Sequence, residues 1–295
     1  MTTMTIAKPP KKIFGYTPGR TVKRLLQDRV GMICLAGLTC LVFIGVLAQF
    51  WTPKDPTAQD LLRRLESPSG DYWLGTDSVG RDILSRLMVA TGVDLAAAAL
   101  AVGIGLAVGA GFGLLAGFLG GPLDSVTSRV FDVLMSLPPL LFAVAIVGAL
   151  GPSLTNAMVA VGVLLAPRFF RLVRVSTSEV ISEDFVEAAR SGGAGPVRIM
   201  TRHVAPNIFS PLLVQISFGV SVAIVAESGL SFLGLGVQPP TASWGSMVKE
   251  GFDNLAINSW TIVPASVMII VSILLLSLFG DSLRDAVGSQ GGSKA

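Results

Sequence analysis

The sequence predicts an all-α, polytopic membrane protein with six transmembrane helices. Hydrophobic residues make up 51% of the 295 residues and charged residues only 14%, and the mean hydropathy is +0.69. Soluble domains carry about 25% charged residues, so this composition indicates a lipid environment. Six apolar runs divide the chain, and each has about the length needed to cross a hydrocarbon core of about 30 Å.

The six runs are separated by polar segments and short turns. Pro138 and Pro139 are best tolerated in the first turn of a helix, so the third span is expected to begin near them. Pro167 predicts a kink near the end of the fourth span. The first run is too long for the core of a signal peptide and is interpreted as a retained span. The runs cover residues 31–50, 95–119, 133–150, 154–170, 208–226 and 261–280.

The distribution of Lys and Arg predicts the orientation. With the N-terminus inside, the inner segments and span ends hold 16 of these residues and the outer ones hold 6. Because cytoplasmic loops carry the excess of positive charge, both termini are expected in the cytoplasm. Residues 1–30 then form a cytoplasmic N-terminal segment, and residues 51–92 form an extracytoplasmic loop. The Gly/Ser-rich end, residues 288–295, is expected to be a disordered tail.

The arginine-rich loop between the fourth and fifth runs carries the most informative pattern. Glu187-Ala188-Ala189 is followed by Gly193 and then by Pro206. Alanines give a short helix a narrow face, and glycine allows a sharp turn. Pro206 is expected to stop a second short helix before the fifth span. The segment predicts a compact helix–turn–helix on the cytoplasmic surface, with a side that another protein can approach closely.

This pattern resembles the cytoplasmic loop of the permease subunits of ABC importers. Further motifs are similar to the C-type subunit of dipeptide, oligopeptide and nickel importers, over roughly residues 20–287. Ordered matches in so many separate segments make the resemblance specific. The motifs are Trp73-Leu74-Gly75-Thr76-Asp77, Gly80-Arg81-Asp82, Gly120-Gly121-Pro122-Leu123-Asp124, Leu230-Ser231-Phe232-Leu233-Gly234 and Gly280-Asp281-Ser282-Leu283-Arg284-Asp285.

The resemblance implies the type I ABC importer permease fold. Residues 93–287 would be the transmembrane domain of five helices, with a coupling loop at about 183–206. In the family this loop docks on the ATPase subunit. The chain would be a non-catalytic permease without a cofactor of its own, because partner subunits bind ATP and Mg. The residues to which the resemblance assigns ATPase coupling are Glu187, Ala188, Ala189, Gly193 and Pro206.

The resemblance also implies the partners, the location and the cargo. The partners are a homologous B-type permease, two cytoplasmic ABC ATPase subunits or domains, an extracytoplasmic substrate-binding protein and the lipid bilayer, with no nucleic acid. The location is the cytoplasmic membrane, which the chain crosses several times. The implied cargo is a di- or oligopeptide, and nickel or another small solute is the alternative.

Some residues depart from the family pattern or leave two interpretations open. Asp94 stands where the family has an arginine, Ala166 replaces a tryptophan, and Gly192 replaces a larger apolar residue. We expect Asp94 to be interfacial and solvated. Glu227, at the end of the fifth run, is either a pathway acid or a structural group hydrogen-bonded to a neighbouring serine. An acid within a span is costly, which favours a functional or paired role.

Two other classes of protein fit the sequence less well than the permease. An ion-coupled secondary transporter predicts inverted repeats and buried acids at the midplane, whereas the sequence shows no clear repeat and at most one such acid. A membrane scaffold without a transport role does not account for the coupling-loop pattern. His203 is the single histidine, and no serine has a histidine near it in a catalytic arrangement.

Overall fold

The computed structural model describes residues 18–288, and within this range the regular elements are helices. The predicted disordered tail lies outside the described residues except for Gly288, and so do residues 1–17 of the predicted cytoplasmic segment. The helices are α1 (Pro18–Gln27), α2 (Arg29–Leu47), α3 (Ile83–Leu119), α4 (Gly121–Ser136), α5 (Pro139–Leu150), α6 (Leu154–Ile181), α7 (Asp184–Ser191), α8 (Pro196–Ile199), α9 (Ala205–Phe232), α10 (Trp244–Asp253) and α11 (Val263–Gly288). Three short turns complete the set, at Leu61–Arg63, Met200–Val204 and Ser259–Ile262.

Four helical segments of the described chain are long and apolar enough to cross a membrane. They are Arg29–Leu47, Ile83–Leu119, Pro196–Phe232 and Ser259–Val287. The pair α4 and α5, bent by 92°, raises the number to five if it forms one broken span. The predicted count of six is therefore not confirmed. The helix α6 has 28 residues, enough to cross, but three arginines lower its hydropathy.

The element boundaries differ from the sequence prediction most clearly in three places, and the first two have a local cause. The helix α3 begins at Ile83 rather than near residue 95, because the Asp82 carboxylate accepts the Ser85 N–H and caps it. The third run is split into two helices at Leu137 and Pro138. Each of these residues precedes a proline, and a residue in that position disfavours the helical conformation. The helix α6 continues through Pro167 to Ile181 instead of ending at residue 170.

A row of glycines sets the contact between α3 and α6. Gly105, Gly109, Gly113 and Gly117 recur every four residues and so lie on one face of α3. A Cβ at Gly113 would lie 2.7 Å from the Phe170 carbonyl oxygen, and a Cβ at Gly109 would collide with the backbone of α6. The two helices therefore pack backbone against backbone, as small residues permit in membranes.

The register of this contact shows that α3 and α6 run in the same direction. Gly105 lies against Gly162, and Gly117, further along α3, lies against Arg174, further along α6. Two parallel helices need a connection that returns the chain to the starting end. The bent α4–α5 pair is that connection, so it carries the chain back along the bundle.

The glycine contact predicts a position-specific effect of adding one methyl group. We expect Gly109→Ala to lower the melting temperature of the detergent-solubilised protein, because the new Cβ overpacks a helix interface at a cost of about 1–3 kcal/mol. Gly111→Ala is the matched control, since nothing lies within 4 Å of its Cβ position. Thermal unfolding of both variants measures the difference, and equal melting temperatures would contradict the proposed backbone contact.

Candidate functional site

The connection between α6 and α9 folds into a short projection, which we call the foot and define as residues 183–206. Its first helix, α7, has Asp184 and Glu187 in the first turn and Arg190 in the last. Acidic groups near the start of a helix and basic groups near its end interact favourably with the helix dipole. This charge order supports a helix of only eight residues.

Gly193 closes α7 and reverses the chain. Its φ is +83°, a conformation that glycine adopts without steric cost. The Gly193 N–H donates to the Arg190 carbonyl at 3.0 Å, and the Ala194 N–H donates to the Ala189 carbonyl at 3.0 Å. These two bonds form a Schellman motif, after which Pro196 begins α8. The predicted sharp glycine turn is confirmed.

The prediction that Pro206 ends a helix is wrong. The helix continues without interruption from Pro196 to Phe232. A π-helical turn at Met200–Val204 precedes the proline, and the Ala205 N–H donates to the Met200 carbonyl five residues earlier. Because proline lacks an N–H and its ring crowds the carbonyl four residues before it, the wider turn accommodates it within a continuous helix.

Apolar contacts hold the foot on the bundle. Val186, Ile199 and Val204 of the foot are buried and cluster with Val173 and Val180 of α6. Complete burial of such a side chain stabilises by about 1.5–3 kcal/mol. A displacement of α7 would uncover these side chains, so the foot and the adjoining ends of α6 and α9 are expected to move together.

The residues singled out by sequence lie on the accessible side of the foot, with one exception. Glu187, Ala188, Gly193 and Pro206 are exposed, and Ala189 is half-buried. The sequence reasoning did not mark Val197, an apolar side chain of α8 that is 72% exposed. Docking of a partner on this surface stays a prediction.

The expectation for Asp94 is wrong, because this residue is fully buried within the bundle. Asp94 of α3 and Glu227 of α9 are both 0% exposed. The Trp244 N–H, at the start of α10, donates to Asp94 Oδ2 at 2.8 Å. Ser231 donates its hydroxyl to Glu227 Oε1 at 2.6 Å, one of the two arrangements expected for Glu227.

The two carboxyl groups lie next to each other, and Asp94 Oδ1 and Glu227 Oε2 are buried without a hydrogen-bond partner among the described residues. Two ionised carboxylates in one buried site repel each other, so this arrangement favours a proton on one of the two groups, which can then donate to the other. The pair therefore links three helices: α3, α9 and, by way of the Trp244 backbone, α10. Sequence reasoning missed the pair because Asp94 and Glu227 are far apart in the chain.

At the opposite end of the bundle from the foot, residues 51–82 and α10 fold together into what we call the cap. Arg81 Nε lies 2.6 Å from Asp77 Oδ2, and Arg86 Nε lies 3.2 Å from the same oxygen. Glu250 of α10 lies 3.4 Å from both guanidinium groups. The ion pairs with Glu250 thus connect the loop around Asp77 and Arg81 to α10. The sequence alone did not predict Glu250 as a partner.

Further polar contacts on the outside of the cap fix its loop. The Thr57 hydroxyl and N–H both donate to the Asp55 carboxylate, at 2.6 and 2.8 Å, and lower the pKa of Asp55. The Asp71 carboxylate lies 3.0 Å from Arg63 Nη1 and raises the pKa of Arg63. Lys54 Nζ lies 3.3 Å from the centre of the Tyr72 ring. The cap is therefore an ordered surface rather than a loose connection.

The cap and the bundle each contain an open cavity. One, of about 330 Å³, lies in the cap between the Arg81–Glu250 cluster and residues 234–241. The other, of about 670 Å³, lies within the bundle between α4, α6, α9 and α11. Neither Asp94 nor Glu227 lines the larger cavity. In the part of the chain that the structure describes, no three metal-ligating side chains lie close enough to hold an ion.

This arrangement of bent, glycine-packed helices, cap and foot defines a class of membrane transport subunit. Residues 109–289 match the family described as "Binding-protein-dependent transport system inner membrane component", and residues 17–68 match the "N-terminal TM domain of oligopeptide transport permease C". The chain belongs to this family and is a C-type ABC importer permease. It is a multi-pass protein of the inner membrane.

Similar proteins extend over nearly the whole chain. The dipeptide transport system permease protein DppC of Alkalihalophilus pseudofirmus is 34% identical and covers 97% of this chain and 95% of its own length. The glutathione transport system permease protein GsiD of Pectobacterium atrosepticum is 37% identical and covers 92% and 91%. The di/tripeptide permease DppC of Pseudomonas aeruginosa is 39% identical and covers 84% of each chain.

Solved structures confirm the fold. The MetNI methionine ABC transporter in its inward-facing conformation, native crystal form, contains a chain with a TM-score of 0.56 and 20% identity. The match covers 68% of this chain and 96% of that one. At this identity the likeness shows the permease fold alone.

The turn at Gly193 predicts local loosening of the foot in a variant. We expect Gly193→Ala to expose the foot to trypsin cleavage after Arg190, because a left-handed conformation costs a non-glycine residue about 1–2 kcal/mol. Gly195→Ala is the control, since its φ is −70° and nothing lies within 4 Å of its Cβ position. Initial cleavage rates under native conditions decide the matter, and identical rates would count against the assigned turn.

The buried carboxyl pair predicts different tolerance of two substitutions at Asp94. Asp94→Asn keeps an oxygen for the Trp244 N–H and supplies an N–H to Glu227, so we expect nearly unchanged stability. Asp94→Ala leaves the buried Trp244 N–H and Glu227 Oε2 without a partner, and each unmade bond costs about 1–3 kcal/mol. Melting temperatures of the two variants in detergent test this, and an equally stable Asp94→Ala variant would refute the pairing.

Proposed function

We propose that this chain forms half of the pathway of an ATP-driven importer of di- and oligopeptides, and that the foot receives force from the ATPase. The observation that carries the proposal is the construction of the foot. It presents small exposed side chains on one side and buries Val186, Ile199 and Val204 in the bundle on the other. A partner that moves this surface moves the helices behind it.

Transmission through the foot rests on the rigidity of its connections. The foot continues directly into α9, with no break at Pro206, over the 37 residues from Pro196 to Phe232. The helix α9 in turn contacts α10 of the cap, and Glu227 and Ser231 near its end belong to the buried carboxyl cluster. A movement at the foot can therefore reach the cap as a rigid-body displacement of helices.

We assign the proposed partners to the two exposed ends of the protein, the foot and the cap. Two cytoplasmic ATPase subunits, which bind ATP and Mg, would contact the foot. A B-type permease would complete the pathway, and a substrate-binding protein would dock on the cap. The cap exposes Leu61, Leu62 and Trp73 by 66%, 96% and 71%, and such a group of apolar side chains is typical of a protein contact.

The proposed peptide cargo is supported by the relatives, whose names specify dipeptide, di/tripeptide and glutathione transport. The ion-coupled transporter gains no support from the buried carboxyl pair. That pair lies at the junction with α10 and outside the large bundle cavity, whereas an ion-coupling site must meet the cargo pathway. Uptake assays with peptides and with nickel distinguish the two importer cargoes.

The proposed docking predicts that a charge reversal on the foot uncouples the importer. We expect Glu187→Arg to abolish co-purification of the ATPase subunits and peptide-stimulated ATP hydrolysis, because the substitution places a long cation on the small-residue surface. Asp285→Arg is the matched control, as Asp285 is an exposed acid of α11 outside the foot. Normal association and transport with Glu187→Arg would overturn the proposed role of the foot.

A further inference from the structure

Three arginines of α6 differ in how their charges are neutralised. Arg174 Nη2 lies 2.7 Å from Asp124 Oδ2, and Arg171 Nη2 lies 2.7 Å from Asp132 Oδ1, so both pair with acids of α4. Arg168 is exposed, and among residues 18–288 no side chain forms a hydrogen bond or ion pair with it. Arg168 is thus a cation available to a ligand.

Arg168 is the first charged residue of α6, because residues 154–167 carry no charged side chain. It lies fourteen residues after the start of α6 and thirteen before its end, which places it about 20 Å from either end of the helix. A charged side chain next to an apolar stretch is costly in lipid and normally faces the interior of a bundle or a water-filled cavity. Its neighbours Pro167 and Phe169 are buried, so at this turn α6 exposes the Arg168 side chain.

That space is the bundle cavity of about 670 Å³. Its volume lies within the range of about 300–1,000 Å³ that is usual for small-molecule sites. Gln215, Ser221 and Ser277 add polar groups from α9 and α11, while Phe218 and Val222 provide apolar wall. The cavity is open on one side, as expected for half of a pathway that a second permease closes.

We propose that this cavity is the section of the peptide pathway contributed by this chain and that Arg168 binds the carboxylate of the passing peptide. The inference rests on the proposed function. Every peptide with a free C-terminus carries a carboxylate, and a guanidinium binds carboxylates through two parallel hydrogen bonds. Arg171 lines the same cavity but is held by Asp132, which leaves Arg168 as the cation free for cargo among the described lining residues.

Uptake of a radiolabelled dipeptide by the complete importer in proteoliposomes tests the inference. We expect Arg168→Gln to reduce uptake at least about tenfold, the effect of losing a charged hydrogen bond, with the amount of assembled complex unchanged. Arg168→Lys keeps the charge and should retain an intermediate rate. Arg284→Gln, at an exposed arginine of α11 outside the cavity, should equal the wild type.

The outcomes separate this inference from the proposed function. Wild-type uptake by Arg168→Gln would overturn the role of Arg168 and leave the importer assignment intact. An assembled wild-type complex that takes up no dipeptide would overturn both. If Arg168→Gln does not assemble, the uptake rate of Arg168→Lys is compared with that of the Arg284→Gln control. Equal rates would count against a contact of two hydrogen bonds between Arg168 and the peptide.

Thiol labelling provides a readout that does not depend on transport. In a Cys34→Ala/Cys40→Ala background, Arg168→Cys should react with a charged, water-soluble thiol reagent, because the cavity admits water. A separate Cys34→Ala variant keeps the native Cys40, exposed on the surface of the apolar helix α2, and this control should not react. Absence of reaction at the Arg168→Cys position would overturn the placement of Arg168 in an aqueous pathway.

Discussion

The close approach of α3 and α6 is the contact on which the rest of the bundle depends. Gly109 and Gly113 let the two backbones meet where any side chain would separate them. In lipid, helices gain little from hydrophobic burial, so packing at short distance supplies much of the association. Ala166, which replaces the tryptophan of the family pattern, is 1% exposed at this contact. A small residue here fits the small residues of α3.

This contact also fixes what α6 can present elsewhere. With one face held against α3, α6 directs Arg171 and Arg174 to the acids of α4 and leaves Arg168 toward the cavity. The parallel course of the two helices requires the bent α4–α5 return, and that return brings Asp124 and Asp132 to the arginines. The positions of these charged side chains therefore follow from the close packing of α3 and α6 that the four glycines of α3 allow.

The sequence was sufficient to predict features that depend on local chemistry. Apolar length located most helices, and the glycine turn at Gly193 follows from backbone conformation. Features that depend on distant partners were not predictable. Asp94 looks solvated beside its sequence neighbours, and only the fold brings it to Glu227. Pro206 looks like a helix stop, because a π turn that absorbs a proline has no sequence signature in the preceding residues.

The adjacent burial of the Asp94 and Glu227 carboxyl groups restricts which residues the two positions can carry together. A cation at position 94 would form an ion pair with Glu227, whereas an acid there favours a proton on one of the two groups. The choice made at one position therefore determines which residues are acceptable at the other. A chimaera that takes α3 from one relative and α9 from another can combine residues at positions 94 and 227 that do not match. The two helices must therefore be exchanged together.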